Sequence, residues 1–180
     1  WGRNVEGVCQ SSDGAGRPRH RVWRIIREPL WEYGTGRKEG RGRGAELLGR
    51  VGLAEKDLDW LPHQFSGGEL QRVWLARAVA RKPEFILLDE AVSSLDMLSQ
   101  SLVLDLLAEV KRDTGAAFLF ISHDLRVLMK VADSLAVMSE GHISSYLSDL
   151  SKITASDISR DPAFLDLARS VLPPEPSVDC

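Results

Sequence analysis

Two adjacent carboxylates, Asp89 and Glu90, follow directly on the apolar run Phe85-Ile86-Leu87-Leu88. A short, fully apolar run suits a strand buried on both faces of a parallel sheet. In open α/β sheets, ligands sit beyond the carboxyl ends of the strands. A carboxylate there can hold Mg2+ against a nucleotide's phosphates, and its neighbour can face an attacking water as general base or orienter. The same residues also read as a strand followed by a solvated acidic turn. Ser66 precedes Gly67 and Gly68 at the start of a helical pattern. Free backbone N–H groups and the helix dipole at such a point favour an anion such as phosphate, and glycines let the backbone approach it closely. An ordinary N-cap behind a loop is the alternative. His123, in Ser122-His123-Asp124, follows another apolar run. A histidine there can reach and polarise a γ-phosphate, although a lone histidine is more often a satisfied structural residue.

These groups need elements to hold them. Residues 1–21 are rich in Gly, Arg and Ser and read as loop. Val22 to Tyr33 has near-helical apolar spacing at Val22, Ile25, Ile26 and Leu30, with Pro29 expected to bend or end the helix. Five glycines in 34–44 predict a flexible loop. Ala45 to Val51 is a short helix ending near Gly52, and Leu53 to Phe65 is connecting chain. Ser66 caps a helix running to about Arg81, with Pro83 as a stop. After the strand at 85–88, Met97 to Lys111 is a helix closed by Gly115. Ala117 to Ile121 is a second strand, Leu125 to Ala132 a helix, and Leu135 to Met138 a third strand. Glu140-Gly141 turns into a further short strand. Alternating strands and helices predict an α/β fold with a parallel sheet. Residues 150–180 read as a polar helical appendage with a Pro-rich tail.

Composition sets the class. The 180 residues are 43% apolar and 27% charged, values of an ordinary globular domain of about that length. The net charge of −3 implies no general affinity for nucleic acid. Residues 1–50 nevertheless carry eleven Arg/Lys against six Asp/Glu, either a solvated basic surface or a basic face near phosphates or a membrane-side partner. Cys9 and Cys180 offer neither a disulfide framework nor a metal cluster. No run is long and apolar enough to span a bilayer. The start, Trp1-Gly2-Arg3-Asn4, has neither an apolar signal core nor an initiator Met, which suggests a fragment or a misplaced start.

Order and spacing join the three groups. Asp89 comes 23 residues after Ser66, Asp96 of Ser94-Leu95-Asp96 comes six after Glu90, and His123 follows the next strand. This ordered set resembles the ATP-binding-cassette (ABC) ATPase family. The family's signature motif corresponds to Phe65-Ser66-Gly67-Gly68-Glu69 with Leu70-Gln71-Arg72 after it. Its Walker B motif corresponds to residues 85–90, its D-loop to Ser94-Leu95-Asp96 and its switch histidine to His123. Val8-Cys9-Gln10 with Pro18-Arg19 is similar to the Q-loop region, although the family often has Phe where Cys9 stands and Asn-Pro where Arg17-Pro18 stand. Ile25-Ile26-Arg27-Glu28-Pro29-Leu30 is similar to the peptide and nickel importer branch. Glu90-Ala91-Val92-Ser93 departs from the commoner Glu-Pro-Thr-Ser and is similar to some nickel-type members.

The resemblance implies a truncated P-loop NTPase-like ABC core. Residues 1–149 would be a partial ATPase domain lacking the Walker A region, with a helical subdomain at about 11–82, and 150–180 a C-terminal extension. It implies ATP and Mg2+ as ligands, with Glu90 and His123 catalytic. Asp89 and Gln10 would serve the metal, and Ser66, Gly67, Gly68, Glu69, Gln10 and Asp96 the nucleotide. It implies a second ATPase subunit, identical or not, packed head to tail so that each ATP lies between one P-loop and the other subunit's signature. It also implies transmembrane permease subunits facing Gln10 and residues 22–33, no nucleic acid, and a place on the cytoplasmic face of the membrane reached only through the permease. One part is absent: no Gly in the sequence is followed by Lys, so the loop G-x-x-x-x-G-K-[ST] does not occur. The chain alone is therefore expected to hydrolyse ATP negligibly. The rival readings are a nonhydrolytic regulatory or remnant module, and a soluble cassette protein of translation or DNA repair.

Overall fold

The computed structural model describes residues 5–9, 19–31, 37–152, 162 and 165. They divide into two compact units, Trp1–Ile121 and Ser122–Cys180.

The first unit is built on a parallel sheet of order β1-β2-β3: β1 (Val5–Cys9), β2 (Phe85–Asp89) and β3 (Ala117–Ile121). Between β1 and β2 the chain runs through helices α1 (Val22–Trp31), α2 (Arg37–Arg50) and α3 (Gly67–Val79). Helix α4 (Met97–Thr114) joins β2 to β3, the crossover that a parallel pair requires. The central strand β2 buries Ile86 and Leu88 completely. Its register sets Cys9 and Ile121 on either side of Asp89.

Two expectations for this unit are corrected. Residues 5–9, read as loop, form β1. The strand has no continuous apolar run, because Glu6 and Gly7 interrupt it. Glu6 is nonetheless largely buried, and its carboxylate pairs with Arg77 and Arg81, each at 3.5 Å. A charge neutralised from another element sits in a strand at little cost. Residues 37–44, read as flexible loop, are the first half of α2. The buried positions of this helix are Gly40, Gly44, Leu47 and Leu48, which is helical periodicity with glycine on half of the inner face. A Cβ at Gly44 would stand 3.4 Å from Leu58 Cδ2 and 3.7 Å from Ile26 Cγ2. The small residues thus let α2 lie close to its neighbours, and burial outweighs glycine's poor helix propensity. Helix α1 continues two residues past Pro29; the proline removes one donor from the helix, and the burial of Pro29 and Leu30 holds the last turn in place.

The second unit holds α5 (Leu125–Val131) and a two-stranded antiparallel sheet of β4 (Leu135–Ser139) and β5 (His142–Leu147). The strand at 135–138 therefore does not extend the parallel sheet among the described residues. Glu140 and Gly141 both have positive φ, 52° and 79°, the backbone of a two-residue hairpin turn. That turn returns the chain beside β4 instead of sending it onward. The expected appendage at 150–180 lies almost wholly outside the described residues.

Candidate functional site

The residues singled out at 66–69 open α3. Ser66 is its N-cap, in extended backbone, and forms a reciprocal pair with Glu69. The Glu69 amide donates to Ser66 Oγ at 3.3 Å, while the Ser66 amide and hydroxyl both donate to Glu69 Oε2 at 2.9 Å. This capping box satisfies two of the helix's terminal amides. Among the described residues, the amides of Gly67 and Gly68 have no protein acceptor. Gly67 is exposed, with open space where a Cβ would stand. The two donors taken from the Ser66 amide and hydroxyl hold the Glu69 carboxyl below its ordinary pKa, so a negative charge already sits in the first turn.

The same turn meets the segment after β2. A Cβ on Gly68 would stand 3.6 Å from Leu95 Cδ2 and 3.9 Å from the Ser94 carbonyl oxygen. The fold thus brings Ser66-Gly67-Gly68 beside Ser94-Leu95-Asp96, which the sequence only orders along the chain. Asp96 is the N-cap of α4; its carboxylate accepts from the Ser99 amide at 2.9 Å and the Ser99 hydroxyl at 2.7 Å. Those bonds hold its pKa below the ordinary value.

Asp89 ends β2, and Glu90 begins the turn beyond it. Glu90 lies in the left-handed region at φ 51°, a conformation costly for a residue with a Cβ. Three contacts hold it there. Its amide donates to the Ile121 carbonyl at 2.9 Å, and its own carbonyl accepts from the Ser93 hydroxyl at 2.8 Å and the Ser93 amide at 3.4 Å. Ala91 and Val92, next along the turn, are buried. The positive φ turns the backbone off the line of β2 at Glu90, directly after Asp89. Ser93 was visible in the sequence only as part of a motif variant, with no sign of this role.

His123 belongs to the second unit. It stands between Ser122, whose Oγ accepts from the Asp124 amide at 3.0 Å, and Asp124, the N-cap of α5. Gln10 lies outside the described residues.

Two further side chains fasten the site and were not anticipated. Arg72, one turn into α3, donates from Nη1 to the carbonyls of Val51 and Gly52 at 3.0 and 3.4 Å, capping the C-terminus of α2. Arg77 reaches Glu6 on β1. The helix that opens at Ser66 is thereby tied to α2 at one end and to the sheet at the other.

Residues 13–93 match the family model described as ABC transporter. That segment contains both Ser66-Gly67-Gly68 and Asp89-Glu90, in the geometry just given. Residues 13–93 thus carry part of an ABC transporter domain. It is 44% identical over 174 residues to the nickel import ATP-binding protein NikE of Rhodospirillum rubrum, covering 96% of this chain and 61% of that protein. It is 39% identical over 181 residues to the oligopeptide transport ATP-binding protein OppF of Lactococcus lactis, covering 99% of this chain and 54% of that protein. Among solved structures, it is similar to the dimeric bacterial ABC transporter cassette MJ0796, with a TM-score of 0.72 and 26% identity over 80% of this chain and 62% of that one. A post-hydrolysis state of that cassette, bound to ADP and Pi, gives a TM-score of 0.74, again at 26% identity, over 82% and 64%. The chain thus spans about three-fifths of the length of these ABC relatives. Its fold is the α/β fold of an ABC cassette. No helix among the described residues is long and apolar enough to cross a membrane.

Proposed function

We propose that this chain is the part of an importer ATPase that carries the hydrolytic carboxylates and the signature helix, in a transporter of nickel ions or peptides. The observation that carries the reading is the Asp89-Glu90 pair at the carboxyl end of a buried parallel strand, one residue straight on the strand and the next turned off it. Asp89 would hold Mg2+. A single carboxylate suits that ion, which usually keeps waters and substrate phosphates as its other ligands. No cluster of three or more His, Cys, Asp or Glu able to cage a metal occurs among the described residues. When bound, Mg2+ neutralises charge on the triphosphate. Glu90 takes the proton of the attacking water, and His123 polarises the γ-phosphate. The amides of Gly67 and Gly68, presented by the Ser66 cap and its Glu69 partner, donate to the γ-phosphate of a nucleotide held by a second cassette. Asp96 serves the same interface through its cap of α4, and Gln10 links metal and permease.

The 180-residue chain alone is expected to release phosphate from ATP at background rate, because no G-x-x-x-x-G-K-[ST] loop grips the triphosphate. The same chain joined to a segment carrying that loop should turn over well above background. No turnover by the joined protein would remove the roles given to Asp89 and Glu90. Turnover by the chain alone equal to that of the joined protein would remove the account of the triphosphate grip.

The partners on this reading are a second ATPase subunit and permease subunits, at the cytoplasmic face of the membrane. Gln10 and residues 22–33, of which Glu32 and Tyr33 lie outside the described residues, are proposed to face the permease. Cysteines placed at the exposed Arg24 and the half-buried Trp23, Arg27 and Glu28 of α1 should crosslink to a co-expressed permease; crosslinks arising only from 150–180 would count against that face.

A further inference from the structure

Five of the eleven Arg and Lys residues in 1–50 gather at one place in the fold. A cavity of about 580 Å3, open to solvent, is lined by Arg19, Arg21, Trp23, Arg24, Arg27, Arg41 and Asp59. Five guanidiniums face one carboxylate. Asp59 is already engaged: it accepts two hydrogen bonds from Arg41, at 3.0 and 2.7 Å, which holds its carboxyl below the ordinary pKa. Arg21 donates to the Asp59 carbonyl at 2.7 Å. These contacts fix Arg41 and Arg21 at the wall. Arg27 lies over the Trp23 ring, 5.1 Å from its centroid, a cation–π contact that orients its planar fork. The guanidiniums of Arg19 and Arg24 make no hydrogen bond or ion pair with another described residue, and both residues are exposed.

Like charges brought this close repel, and a concave wall of low dielectric focuses their field. The group that relieves the repulsion is a compact multivalent anion. The lining contains arginine and no lysine, and the guanidinium fork matches the oxygens of a phosphate two at a time. We infer that this cavity binds a phosphate group, with Arg19 and Arg24 closing on it from the solvent side and Arg21, Arg27 and Arg41 forming a fixed cradle. The site is built by the start of α1 and by residues around Asp59 and Arg41, separate from Ser66-Gly67-Gly68 and from Asp89-Glu90. It shares Trp23, Arg24 and Arg27 with the α1 face proposed above to meet the permease, so it is tested on the chain alone. A phosphate group of this kind is offered by a soluble phosphate compound or by the headgroup of an anionic lipid.

The test uses the 180-residue chain and two probes. Inorganic pyrophosphate is titrated by calorimetry. Cosedimentation is measured with vesicles of equal parts phosphatidylglycerol and phosphatidylcholine, and with phosphatidylcholine alone. The variant R19Q/R24Q removes the two unengaged guanidiniums; its circular dichroism and melting temperature are expected to match the unmodified chain. The control R112Q/K130Q removes the same charge elsewhere on the surface. At least one probe should bind, and its affinity should fall by at least about tenfold in R19Q/R24Q and little in the control. Binding should also weaken as ionic strength rises. Pyrophosphate binding without vesicle binding assigns a soluble ligand, and selective binding to phosphatidylglycerol vesicles assigns the membrane surface. Either outcome supports the site. Absence of binding to both probes, or equal losses in variant and control, overturns it.

Discussion

Replacing Glu90 by Gln is expected to lower ATP turnover by on the order of 10²-fold or more, the usual effect of losing a general base, while leaving nucleotide binding intact. The change keeps the size and hydrogen-bonding capacity of the side chain and removes its charge and basicity. The measurement is single-turnover hydrolysis and equilibrium ATP binding by the chain joined to a phosphate-binding segment. Asp89→Asn should behave differently and weaken Mg2+-dependent binding as well, because Asp89 continues the line of β2 whereas Glu90 is turned off it. Binding lost in Glu90→Gln, with normal turnover of whatever still binds, would mean that the two roles are exchanged. The backbone supplies a second readout. Holding a residue with a Cβ at φ 51° costs on the order of 1–3 kcal/mol, and Asn or Gly tolerates that conformation better. Glu90→Asn and Glu90→Gly should therefore be at least as stable as the unmodified chain and still fail to hydrolyse ATP. Equal or greater stability with lost activity distinguishes a position strained for function from one that merely supports the fold. A marked fall in melting temperature in both variants would place Glu90 in the second class.

Much of this arrangement was legible in the sequence, and what was hidden was hidden for identifiable reasons. Strand β2 announced itself because its apolar residues are consecutive, and α4 because Gly115 closes it; the cap at its start, Asp96, emerged only in the fold. Helix α3 was visible from Ser66 onward, since a serine before two glycines and a long apolar-rich stretch is a local signal. Strand β1 was not visible, because Glu6 is made acceptable by Arg77 and Arg81, more than 70 residues away. The first half of α2 was hidden because its buried face is glycine, so hydrophobic periodicity had nothing to register. The pairing of β4 with β5 turned on the conformation of two residues, Glu140 and Gly141. At the site, the chemically distinctive residues were readable from type and order. Their juxtaposition was not: that Gly68 lies against Ser94 and Leu95, or that Ser93 pins the turn at Glu90, follows from packing alone. Arg72 carried no signal beyond its place in a motif, since its partners are backbone carbonyls some twenty residues earlier.

Gly52→Ala is expected to destabilise the first unit by about 1–3 kcal/mol, through left-handed strain and crowding together. Gly52 follows α2 with φ 74°. Its amide donates to the Gly49 carbonyl at 3.0 Å, and the next amide, Leu53, donates to the Leu48 carbonyl at 2.9 Å. This is a glycine-terminated helix end of the kind that a Cβ disfavours. A Cβ would also stand 2.8 Å from Leu102 Cδ1 and 3.1 Å from Arg72 Nη1. Both atoms are the far ends of flexible side chains, so the clash is relieved by moving them. Moving Arg72 weakens its bonds to the Val51 and Gly52 carbonyls, however, and those bonds tie α2 to the helix that opens at Ser66. The expected fall in melting temperature is about 2–12 °C for a chain of this size. Arg72→Met, which keeps the stem and removes the donors, separates the two contributions. If Gly52→Ala acts partly by displacing the guanidinium, the double variant should be less destabilised than the sum of the singles. Strict additivity would mean that strain at Gly52 accounts for the whole effect. A melting temperature unchanged in Gly52→Ala would show that this helix end does not hold the α2–α3 junction together.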